Sequence, residues 1–289
     1  MTVTHLAGCA LFPHPPIMLS EVGGAESGRV QKSVQAAEAA AQFLVRQNPT
    51  TIVIITPHGP AFKDAVGINV SPVLRGNLAN FGAPEVAVSF ETNSLLAQNI
   101  IKQSERLGVS LAILDEPLSQ QYRFSLQLDH GAVIPLYYLN KAGFRGQVVH
   151  LSVGFLNYPE MYAFGKAVQG AIETTRQKVA VVASGDLSHR LIPGAPAGYS
   201  PQGRVFDERI IQLLQAMDVK SMFTLAPDLV EEAGECRLRP IYFLMGTMHG
   251  MDAEATTLSD EGPFGVGYGV ATFIAKNRRK AKEGNSHEP

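Results

Sequence analysis

Residues 50–60 read "TTIVIITPHGP", seven β-branched residues in a row and then a histidine held between prolines and a glycine. β-Branched side chains favour extended backbone. A short apolar run without polar alternation reads as a strand covered on both faces. Such a strand requires helices above and below its sheet, and the flanking sequence supplies them. "HLAGCALF" (5–12) reads as a first strand, and "SGRVQKSVQAAEAAAQFLVRQN" (27–48) as an alanine-rich helix that stops before Pro49.

Beyond residue 60 the alternation continues. Helices are predicted over 94–107, with Gly108 as a stop, from 130 in "HGAVIPLYYLN", and over 160–177 and 205–217. A further helical reading covers 230–251, "VEEAGECRLRPIYFLMGTMHGM". Strands are predicted in "GQVVHLSVG" (146–154), "KVAVVAS" (178–184) and "GYGVATFIAK" (267–276). Alternation with buried-type strands argues an α/β fold, a three-layer α/β/α sandwich around a mixed, mostly parallel sheet. No linker divides the chain, so one domain is expected over 1–276, followed by a polar tail over 277–289.

Composition narrows the function. Of 289 residues, 45% are hydrophobic and 17% charged, which argues for a packed core. A formal net charge of −2 gives no general pull toward nucleic acid or anionic lipid. No apolar run is long enough to span a bilayer, and no secretory leader pattern opens the chain. Two cysteines, Cys9 and Cys236, make no disulfide framework. The expectation is a cytoplasmic protein that binds neither nucleic acid nor membrane.

In open α/β sheets, chemistry collects beyond the carboxyl ends of the strands. His14 ("FPHPP"), His58 ("TPHGP") and His189 ("GDLSH") each follow a predicted strand, and His130 ("LDHGA") opens a predicted helix. Proline stiffens the backbone around His14 and His58, which lowers the ordering cost of holding a metal. Proline and glycine are also ordinary turn punctuation, so the local reading leaves turn residue and ligand both open. His189 is either a packed turn residue or a positioned acid/base, with Asp186 and Ser188 able to orient an imidazole. Asp129 can be a helix cap, with His130 beside it. In "EEAGECRLRP" (231–240), Glu235 is either a dipole-stabilised carboxylate at a helix start or a ligand. Two histidines and a carboxylate form the non-haem Fe(II) set, and the same groups can hold Zn²⁺ with a water. Arg123, Arg237, Arg239 and Tyr199 are candidate substrate contacts, and 190–204 a loop over the site.

Five motifs in order, "FPHPPI", "TPHGP", "LDHGAVIPL", "GDLSH" and "AGECRLRPI", span residues 12–241. Together they resemble the LigB-type superfamily of class III extradiol ring-cleavage dioxygenases, which includes the Memo proteins. The resemblance implies His14 and His58 as imidazole ligands, Glu235 as carboxylate ligand, His189 as the acid/base and His130 as a further histidine near substrate and oxygen. It also implies Fe(II), with zinc as the alternative, a catecholic or aminophenolic substrate with O₂, and a homo-oligomer or a partner subunit or domain. In Memo-type relatives the third position looks like a cysteine, and Cys236 stands there in this chain. A thiolate would favour a softer ion, and neighbouring helix residues point about 100° apart, so both are not expected on one ion. A Memo-like redox or interaction protein and a zinc hydrolase therefore stand beside the dioxygenase reading.

Overall fold

The computed structural model describes residues 5–278. Ten strands lie among them: β1 (Leu6–Phe12), β2 (Thr51–Thr56), β3 (Val66–Asn69), β4 (Val73–Leu78), β5 (Ala83–Glu91), β6 (Leu111–Leu114), β7 (Gln147–Ser152), β8 (Val179–Ser184), β9 (Met251–Glu261) and β10 (Tyr268–Arg278). Eight form one sheet in the order β6-β3-β7-β2-β8-β1-β10-β9, and β4 and β5 form a separate antiparallel hairpin. Its centre is parallel, with β7, β2, β8 and β1 side by side, and β10 and β9 add an antiparallel edge.

Because side chains alternate across a strand, the central strands feed two cores. Cys9, Leu11, Val53, Ile55, Val181 and Ala183 pack on one face with the helices Ser94–Arg106, Tyr158–Thr174 and Leu238–Thr247. Ala10, Phe12, Ile52, Ile54, Ala180 and Val182 pack on the other with the helices Gln31–Arg46 and His130–Lys141 and the β4–β5 hairpin. The helix Gln31–Arg46 buries Ser33, Ala36, Ala37, Ala40, Ala41 and Leu44, a stripe at helical spacing whose small residues let it lie close to the sheet. The three-layer mixed α/β sandwich expected from the sequence is the fold. No described helix is long and apolar enough to cross a membrane.

Among the differences from the sequence reading, the short strands β3 and β6 and the helix Glu116–Tyr122 were not predicted. The hairpin was not foreseen, because Pro72, Gly76 and Asn77 interrupt its hydrophobic pattern. Residues 251–261 form an edge strand whose acidic side chains, Asp252, Glu254 and Asp260, mask its alternation. The helix expected over 230–251 is two helices, Pro227–Ala233 and Leu238–Thr247. Gly234, at φ 60°, ends the first in the left-handed region open to glycine. The polar tail lies outside the described residues from 279 onward, while 277 and 278 continue β10.

Candidate metal centre

Parallel pairing brings three strand ends to one level. Phe12 pairs with Ser184 and Ile55 with Ala183, so Phe12, Thr56 and Ser184 finish together. Two residues past each end stand His14, His58 and Asp186. The turn after β2 needs glycine for space: a Cβ on Gly59 would lie 2.5 Å from that of Ser152.

His14 is buried, at 2% exposure, and its ring is fixed from behind. The Ser184 hydroxyl donates to the Gly131 carbonyl at 2.6 Å, so it accepts from His14 Nδ1–H at 2.9 Å. That assigns the tautomer and leaves the Nε2 lone pair of His14 facing the site. His58 Nε2 lies 2.9 Å from it. Two imidazole nitrogens this close share either a proton or a cation. The His14 backbone N–H donates to Asp186 Oδ1 at 3.1 Å, and Asp186 Oδ2 lies 3.7 Å from His14 Nε2. Burial lowers the His14 pKa to about 3 despite the Asp186 charge, so the ring is neutral and able to ligate.

The third donor comes from the break between the two late helices. Cys236 Sγ accepts from the Asp186 N–H at 3.3 Å and lies 3.9 Å from His189 Nε2. The donor atoms of His14, His58 and Cys236 all lie within 4.8 Å of one another. Glu235 turns elsewhere: its Oε2 accepts the backbone N–H groups of Arg237 and Leu238, capping the helix Leu238–Thr247. Of the two neighbours weighed for the third position, the sulfur faces the imidazoles and the carboxylate faces the helix. Burial raises the Cys236 thiol pKa, so a bound cation is needed to make it a thiolate near neutral pH. Two imidazoles, a thiol and an exposed His58 leaving one side open fit a soft or borderline transition metal.

His130 stacks on His58, with ring centroids 4.3 Å apart, and meets Phe81 edge-on. Desolvation lowers the pKa of both His130 and His189, so each is neutral at physiological pH and able to accept a proton. Behind them, Asp129 Oδ2 accepts from Thr56 Oγ1 at 2.7 Å and lies 3.5 Å from His150 Nε2. Burial alone would raise the Asp129 pKa, but His150 and Thr56 hold it well below the usual carboxylate range. His150, read from sequence as part of a strand, thus meets the site from beneath; the alternation of "QVVHLS", which turns one face of β7 toward Thr56, was the available signal. Arg237 contacts no substrate space. It is buried and donates to the carbonyls of Gly185 and Gly269, clamping the Cys236 turn onto the strand-end loop. Arg239 donates to the Leu156 carbonyl. The 190–204 segment is tied down by Leu191 N–H to Gly265 and Ala197 N–H to His189.

Two cavities flank the centre. One, about 630 Å³, is lined by His58, His130, Phe81 and Phe124, within the range of about 300–1,000 Å³ common to small-ligand sites. The other, about 200 Å³, reaches Cys236 past Phe155 and Arg239.

The family model described as the catalytic LigB subunit of aromatic ring-opening dioxygenase matches residues 8–271. A protein of Clostridium acetobutylicum known only by its locus is 37% identical over 96% of this chain, which spans 59% of that protein's length. A 3,4-dihydroxyphenylacetate 2,3-dioxygenase of Escherichia coli is 27% identical over 84% of this chain and 90% of its own. A MEMO1 family protein of Pyrococcus abyssi is 32% identical over 45% of each chain. The crystal structure of an uncharacterized protein from Escherichia coli K12 superposes with a TM-score of 0.62 at 16% identity, covering 92% of this chain and 99% of that one.

Proposed function

Because this chain belongs to the LigB family, that of the catalytic subunit of aromatic ring-opening dioxygenase, we propose that it is a metal-dependent oxidoreductase that uses O₂ to open a catechol- or aminophenol-type ring. The observation that carries this reading is the meeting of His14, His58 and Cys236 donor atoms within 4.8 Å beside an aromatic-lined cleft. When bound, the ion supplies Lewis acidity toward a ring hydroxyl and electron exchange with O₂. The chain's own residues do the rest. Ser184 and Asp186 orient His14. His130, stacked on His58, forms one side of a slot for a flat ring. His189, neutral and within 3.9 Å of the third donor, takes a proton from a substrate hydroxyl. His14, His58, His130 and His189 keep the roles the resemblance implied, and Cys236 replaces Glu235 as the proposed third ligand.

One observation favours a second reading. A thiol in the third place is a softer donor than a carboxylate and moves preference from Fe(II) toward copper or zinc. That matches a MEMO-type protein with redox chemistry and no ring cleavage. In either case a single LigB-like domain acting in a reducing, cytoplasmic setting fits the two free cysteines. A further domain or subunit is proposed from the greater length of the Clostridium relative.

Elemental analysis of anaerobically purified protein, followed by Fe(II) loading and O₂ uptake on a panel of catechols and aminophenols, separates these readings. A yellow ring-fission product supports the first. Oxygen consumption without ring opening selects the second, and ester or amide hydrolysis without oxygen consumption would select a zinc hydrolase. A chain that retains no transition metal sinks all three.

A further inference from the structure

The larger cleft is roofed by the β4–β5 hairpin and closed below by the start of the helix His130–Lys141. Its lining offers the rings of Phe81 and Phe124 and the exposed amides of Asn80 and Gln127. None of the described lining residues is Lys or Arg. The acidic residue among them is Asp129, whose Oδ1 is buried without a hydrogen-bond partner and whose Oδ2 is held by Thr56. We propose that this cleft selects aromatic rings whose substituents away from the metal are uncharged, and disfavours rings that carry a carboxylate.

The reason is electrostatic. A substrate carboxylate in the cleft would give up water without meeting a Lys or Arg, and would lie above the largely buried carboxylate of Asp129. A hydroxyl, alkyl or amide substituent meets the amides of Asn80 and Gln127 on neutral terms, while Phe81 and Phe124 pack against the ring. This deepens the function proposed above and rests on its metal centre to seat the ring.

The test is calorimetric titration of anaerobic, Fe(II)-loaded protein with 4-methylcatechol and with 3,4-dihydroxyphenylacetate, with O₂ uptake measured on the same preparations. Neutral catechol should bind at least about tenfold more tightly than the acid. Gln127→Arg, and independently Asn80→Arg, should improve binding of the acid relative to the neutral ring by about tenfold. Equal or tighter binding of the acid by the unaltered chain overturns the proposal, and so does failure of 4-methylcatechol to bind. Selective binding of the neutral ring without ring opening would sink the dioxygenase reading and leave the selectivity standing. Ring opening with preference for the acid would do the reverse.

Discussion

The two halves of the centre are built by different means. His14 and His58 sit two residues beyond β1 and β2, the parallel strands on either side of β8, so the sheet's register sets their positions. Cys236 sits in a break between helices, aimed by the left-handed turn at Gly234 and the buried anchor of Arg237. The first half follows from strand pairing, which involves many residues. The second depends on a few local contacts, and there two adjacent donors compete for one role.

The strongest way to break this contrast is to swap the fates of the adjacent donors. Cys236→Ala should lose bound metal to background after dialysis while the chain stays folded. Glu235→Ala should keep its metal and instead lose about 1–2 kcal/mol of stability through the missing helix cap, read by chemical denaturation. The reverse pattern would return the carboxylate to the ion. On the imidazole side, Ser184→Ala should weaken metal affinity by about ten- to a hundredfold in chelator competition, because His14 loses the partner that fixes its tautomer. Unchanged affinity would mean that the strand end alone holds the ring.

Asp207 lies outside the donor cluster, and its Oδ1 accepts the Ser188 N–H next to His189. Burial raises its carboxyl pKa from 3.8 to about 7. The folded chain therefore keeps a proton that the unfolded chain releases. This contribution to stability is complete below about pH 3.8 and is lost as pH rises to about 7. Asp207→Asn should flatten stability over that window and leave metal binding unchanged. A pH slope that survives the substitution would assign it to another group.

The fold was largely legible because its central strands are apolar throughout. "TIVIIT" and "VAVVAS" have no reading as exposed segments, and they end two residues before His58 and Asp186. The β4–β5 roof was missed although its buried and exposed residues alternate, because Pro72, Gly76 and Asn77 break up the β4 stretch, and β9 was missed because an edge strand carries acids. Four of the five residues first singled out as site residues, His14, His58, His130 and His189, gather around one point, since strand ends and a helix start define it. Choosing between Glu235 and Cys236 was beyond the sequence. Both lie in one short turn, and a backbone cap on Arg237 and Leu238 decides which side chain is left to face the histidines.

The shared step of two residues from strand end to side chain works as a ruler. Lengthening the turn at 13, 57 or 185 by one residue would carry its imidazole or carboxylate off the common level while leaving the sheet intact. Descendants of this architecture are thus free to change what those turns are made of, but not how long they are. The hairpin over the cleft obeys no such ruler, so its length and side chains can vary without moving the three donor atoms beneath.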